Sequence, residues 1–188
     1  SLTMWNTTDN EVVGRNYPGA PGIMYRKSYV QLMSDGTLND FDLQIAAAHE
    51  KGHGLRSFEH ESPWIREQLF SCFDFSRIKL HPKSIEKILV DLKDVPFWKR
   101  RIRAKQEVRD LQVYFLQSDE LIERMSQLKN YFGMQAGEEF THEHLEYARE
   151  HYGTDYGNFW DRQLYPMFTM ITPQTEPAFL KFMNGFPL

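Results

Sequence analysis

The run His49-Glu50-Lys51-Gly52-His53 has the order His-Glu-x-x-His, by which one helix offers two imidazole ligands and a carboxylate base to a hydrolytic metal ion. At about 3.6 residues per turn, His49 and His53 share a face, while Glu50 is turned roughly 100° round the axis. Both rings can then reach one cation, and Glu50 can take a proton from a water beside it. The chemistry implied is metal-assisted hydrolysis of an amide, with zinc as the ion that suits imidazole and carboxylate donors.

A catalytic zinc usually holds three protein ligands, so a third must come from elsewhere. On a continued helix His60 would lie roughly 10 Å beyond His53, too far for the same ion. Glu59 or His60 would serve only if the chain turned back sharply. Glu120, in Ser118-Asp119-Glu120-Leu121-Ile122-Glu123-Arg124-Met125, is the stronger candidate. A helix that buries Leu121, Met125, Leu128 and Phe132 leaves Glu120, Arg124 and Tyr131 on a flank able to meet the motif helix. Arg124, one turn on, can orient Glu120 as an i,i+4 pair. Glu107 and Glu123 are the alternatives, and a first-turn glutamate also simply complements the helix dipole. For the oxyanion of the reaction, Tyr131, Tyr156, Tyr165, Arg56 and Arg124 are all candidate donors.

The elements that must position these groups follow from pattern. Residues 1–21, rich in Asn, Gly, Pro and Thr, read as extended loop. Ile23 to Arg26 and Ser28 to Met33 read as strands closed by Asp35-Gly36. Asn39 or Asp40 can cap a helix whose apolar stripe is Phe41, Ile45, Ala48, Gly52 and Leu55. A short helix is predicted over Trp64 to Phe70. Further helices are predicted over Ser84–Leu92, Pro96–Gln117, Ser118–Phe132, Thr141–Tyr152 and Tyr156–Ile171, with Gly133 and Gly153 at C-terminal positions. The expected fold is a single α+β domain, mostly helical. A small N-terminal sheet would pack on the active-site helix, in a metal-site region of residues 22–133, before a helical extension over 134–188.

Composition bounds the rest. A chain of 188 residues with 41% hydrophobic and 26% charged residues is large enough for one core without disulfide staples. Its net charge of -4 predicts no general attraction to nucleic acid or to a membrane. The basic run Lys99 to Lys105 reads as the solvated face of a helix anchored by Phe97, Trp98 and Ile102. Cys72 is the single cysteine, so no internal disulfide can form, and it reads as buried packing. His142 and His144 are adjacent-but-one on a helix and point apart, so capping and exposure suit them better than a shared ion. No apolar run has the length of a membrane span and no signal-peptide pattern opens the chain.

The stretch from about Gly22 to Gly133 resembles the zincin metallopeptidases, and more narrowly the compact gluzincin-like proteins. The resemblance is carried by Ala46-Ala47-Ala48-His49-Glu50-Lys51-Gly52-His53, the preceding strand Ser28 to Met33, and Glu120-x-x-x-Arg124. It implies His49, His53 and Glu120 as zinc ligands, Glu50 as the catalytic base, and a peptide or protein as substrate. The run Glu120 to Gly133 is also similar to stretches of bacteriophage structural-module proteins, which implies a virion-associated setting beside the cytoplasmic one that a single cysteine is compatible with. The competing expectation is a non-catalytic assembly or virion protein that keeps the metal helix as a structural element.

Overall fold

The structure is a computed structural model that describes residues 2–5, 14–15, 23–26, 48–49, 51–56, 62–186 and 188, the side chains of 2–5, 14–15, 23–26 and 154–161 excepted. The chain separates into two compact units, Ser1–Ser62 and Pro63–Leu188.

The expected α+β class does not hold. Every regular element from Pro63 onward is helical: α1 (Pro63–Phe70), a 3-10 turn (Phe75–Arg77), α2 (Pro82–Asp91), α3 (Phe97–Phe115), α4 (Ser118–Tyr131), α5 (His142–Met170) and α6 (Glu176–Gly185). Among the described residues, extended pairing is confined to Leu2–Trp5, Gly14–Arg15 and Ile23–Arg26. From Pro63 to Gly185 the regular elements are all helices, so helix packing sets the class. The strand expected over Ser28 to Met33 lies outside the described residues.

In the second unit α4 is the central element, touching α1, α3 and α5. All nine residues from Glu120 to Leu128 are buried, with Leu121, Ile122, Met125 and Leu128 fully so. A helix normally buries one stripe; this one is enclosed on every side, so its polar residues must find partners inside the protein. Its C-terminal end was legible. Gly133, at φ +60°, donates to the Asn130 carbonyl at 3.0 Å, and Met134 donates to Lys129 at 3.1 Å. Those two bonds satisfy the last carbonyls in the glycine-closed pattern of helix ends.

Other helix starts use side chains. His81 caps α2 by accepting from the Lys83 amide at 3.1 Å, with Pro82 following in the first turn. At the α2–α3 turn, Arg100 Nε donates to the Val95 carbonyl at 2.8 Å and its Nη2 donates to the Lys93 carbonyl. Asn184 of α6 clamps the residue before α5's cap, accepting from the Phe140 amide at 2.7 Å and donating to its carbonyl at 2.9 Å.

Gly153 does not end a helix as expected; helical bonding continues through it to Met170. Yet Arg149 Nη2 donates to the carbonyls of Phe168 and Ile171 at 3.2 and 2.9 Å. On a straight rod Arg149 and Phe168 would stand about 28 Å apart, beyond the reach of an arginine. The axis of α5 therefore turns back between them, in an interval that holds Gly153, Gly157 and Pro166, residue types at which helices kink.

Cys72 is fully buried between α1 and α6, its Sγ donating to the carbonyls of Gln68 at 3.4 Å and Ala178 at 3.5 Å. Burial pushes its thiol up from 9.0 to about 12, against a smaller opposing effect of Ser71. Since the thiolate is the nucleophile, three pH units remove about 10³-fold of its reactive fraction. The expected result is no reaction with a disulfide reagent at pH 8 in the folded chain and complete reaction in denaturant; rapid labelling of the folded chain would contradict it.

Candidate metal centre

Within the first unit, residues 48–49 and 51–55 are helical, closed by an Arg56 amide to Gly52 carbonyl bond of 2.9 Å. One helical turn brings the two imidazoles together, as the spacing requires. His53 Nε2 lies 3.1 Å from His49 Nε2, with ring centroids 4.7 Å apart and planes at 78°. Two nitrogens on one tetrahedral zinc, each about 2.05 Å from it, stand about 3.3 Å apart. The pair thus has the separation of two ligands sharing an ion. Without an ion, the same distance accommodates a hydrogen bond in which one Nε2 keeps its proton.

Support for this helix differs from expectation. Gly52 is buried, whereas Ala48 and Leu55, expected on the apolar stripe, are exposed, Leu55 by 69%. Phe41 and Ile45 lie outside the described residues, as do the expected base Glu50 and the alternatives Glu59 and His60. Lys51 is exposed, so the side of the helix it occupies faces water.

Glu120 belongs to the second unit, in the first turn of α4. Arg124 Nη1 donates to its Oε2 at 2.8 Å, with the two side chains only 3% and 11% exposed. The expected orienting pair is thus present, and it is buried. Two partners of Arg124 were not legible in the sequence: its Nε donates to the Gln163 carbonyl at 2.9 Å and its Nη2 to Gln163 Oε1 at 3.2 Å. Its guanidinium also lies over the rings of Phe115 at 4.8 Å and Tyr114 at 5.3 Å. Burial pulls the guanidinium pKa down, but Glu120 and Tyr114 outweigh it and hold the pKa above its ordinary value. A partner 39 residues away leaves no periodic trace, so only the i,i+4 component could be read.

The other candidates are placed as follows. Glu123 is buried on α4 and Glu107 half-buried on α3. Among the oxyanion donors, Arg124 is engaged as described and Tyr165 packs its ring against His81 at 5.0 Å. Tyr131 sits in a ring cluster with Phe132 and Tyr152.

The His142–His144 pair separates as expected. His144 Nδ1 accepts from the Thr141 amide at 2.9 Å, which closes the first turn of α5. His142 instead joins Glu146 and Glu176 in a group whose ligand atoms lie within 4.8 Å of one another. Its Nδ1 stands 2.9 and 3.0 Å from the two Glu176 oxygens, one N–H shared between both oxygens, which links the first turns of α5 and α6 and becomes an ion pair when the ring is protonated. Hydrogen bonding to Glu176, then its charge, raises the imidazole pKa above 6.5. A folded-state pKa above the unfolded value adds stability that is complete below pH 6.5 and lost as pH rises through the folded pKa. Thermal unfolding should therefore show a melting temperature that falls as pH rises above 6.5, with His142→Gln removing that part of the slope. An unchanged slope would place the effect elsewhere.

Comparison with family models, with curated proteins and with solved structures returned no match to this chain.

Proposed function

We propose that this chain is a zinc-dependent metallopeptidase whose ion is held by His49, His53 and Glu120, with Glu50 as general base. The observation that carries the reading is the 3.1 Å separation of the two Nε2 atoms. Two neutral imidazoles on one face are a donor set that a borderline ion such as zinc takes readily.

Bound zinc would supply Lewis acidity and a water whose pKa is brought to about 7. The chain's own residues supply the rest. His49 and His53 would present their Nε2 lone pairs to the ion. Glu50, one position along the helix, would receive the proton from the attacking water and pass it to the leaving amine. Arg124 would hold one carboxylate oxygen of Glu120, and so act on the ligand as a positioning residue.

The test begins with the full chain exchanged into zinc, dialysed, and measured by elemental analysis and by cleavage of an unstructured peptide mixture. One zinc per chain and new peptide termini are expected. Zinc bound equally well by the His49→Ala/His53→Ala chain would overturn the site; stoichiometric zinc with no cleavage of any peptide would overturn the activity and leave a structural metal helix.

A further inference from the structure

Outside that centre, α3 has a face whose composition its core role does not require. Its packing side is formed by Ala104, Val108, Leu111 and Phe115, which are buried or half-buried. At about 100° per residue, Trp98, Arg101, Ile102, Lys105, Arg109 and Val113 fall within an arc of about 120° to one side of it. Trp98 is 71%, Ile102 72% and Val113 54% exposed, and Arg101, Lys105 and Arg109 are exposed as well. The two carboxylates of this helix, Glu107 and Asp110, lie outside the arc. The face is therefore apolar and cationic without an acid of its own helix. Phe97 at its start is 84% exposed, and Leu89 and Val90 of the adjoining α2 are 56% and 60% exposed.

The charge of this hairpin opposes that of the chain. Residues 83–109 hold nine Lys and Arg against four Asp and Glu, in a protein with 22 and 26 overall. Chain-average charge, which predicted neither membrane nor nucleic-acid attraction, conceals this local excess. One helical side combining exposed tryptophan, aliphatic residues and cations has the chemistry that lies in the plane of a bilayer's headgroups, with apolar groups sunk among the acyl chains and cations on acidic lipids.

We propose that the outward face of α3 docks on the surface of an anionic lipid bilayer, with the helix axis parallel to it. Single-stranded nucleic acid would use the cations and the Trp98 ring. It has no use for Ile102 and Val113, which gain from hydrocarbon and not from bases or phosphates. Asp91 at the end of α2 and Asp94 in the α2–α3 turn, both exposed, favour contact through the α3 face over contact through the hairpin tip. No described helix is long and apolar enough to cross a membrane, so the contact is peripheral.

The experiment is co-flotation of the full chain with phosphatidylcholine vesicles with and without phosphatidylserine, followed by tryptophan fluorescence compared between the chain and Trp98→Ser. Partitioning at least about tenfold higher onto the acidic vesicles is expected, given the contribution of each cation near such a surface, and it should fall as salt is raised. Lys105→Glu/Arg109→Glu should abolish binding. Trp98→Ser should weaken it and remove the blue shift of emission. All three positions are exposed, and circular dichroism verifies that the variants fold. Equal binding to both vesicle types, absence of binding, or binding that these variants leave unchanged would overturn the proposal. So would preferential capture of an oligonucleotide, or a dimer in sedimentation that Trp98→Ser disperses.

Discussion

Arg124→Met should lower the stability of the Pro63–Leu188 unit by about 3–5 kcal/mol, the cost of removing one partner of a buried ion pair. The substitution keeps the apolar stem and removes the charge, so packing against Phe115 survives in part. What is lost is the 2.8 Å bond to Glu120 and both bonds to Gln163. A carboxylate 11% exposed is then left without its guanidinium, and a carbonyl of α5 loses its donor. Urea unfolding in the presence of a chelator, which removes any metal contribution, reads the effect directly. Adding Glu120→Leu should recover part of the loss, because an apolar pair of similar size avoids the desolvation of a lone charge. A cost below about 1 kcal/mol for Arg124→Met alone would mean that the pair behaves as an exposed one, and that α4 is less enclosed than described.

The same pair shows where sequence reasoning succeeds and where it stops. Glu120 and Arg124 stand four residues apart, so helical spacing alone places them together. The i,i+4 rule likewise places His49 against His53, and Gly133 marks the end of α4 because only a residue tolerant of positive φ closes a helix in that way. Each of these is a local relation, complete within one or two turns. Gln163 reaches Arg124 only because α4 lies beside α5, and no period in the sequence records that. Enclosure of α4 on every side was illegible for a similar reason: the burial of Glu123, Ser126 and Gln127 depends on neighbours that no local spacing records.

Gly153 lies inside α5 and does not close a helix there. A glycine costs about 1 kcal/mol inside a helix relative to alanine, which is small beside the burial of Tyr152 and Leu164 on either side of it. Tertiary packing overrides a preference of that size, so helical bonding passes through the residue while the axis reverses in the same interval. The α+β expectation failed by a parallel route. Aromatic and β-branched runs near the N-terminus indicate that a strand can form, and Ile23–Arg26 does. They do not indicate that a sheet will be large enough to organise a fold.

Glu50→Gln should leave zinc binding intact and lower turnover by about 10²- to 10⁴-fold, the usual contribution of a positioned general base. The amide is nearly isosteric with the carboxylate, and glutamine is as good a helix former; what the substitution removes is the capacity to accept a proton. His53→Ala should act on the other quantity, removing zinc and turnover together, because one remaining imidazole and one carboxylate are too few ligands for a stable catalytic site. Glu120→Gln separates a ligand from a core residue. If Glu120 binds the ion, zinc affinity falls by about 10- to 100-fold or more, while unfolding in chelator reports only the weakened contact with Arg124. Should zinc affinity hold through Glu120→Gln and drop in Glu107→Gln or Glu123→Gln, the third ligand is reassigned and the histidine pair stands. A Glu50→Gln chain that still hydrolyses peptide at the original rate would remove the base, and with it the reason to read His49 and His53 as part of a hydrolase.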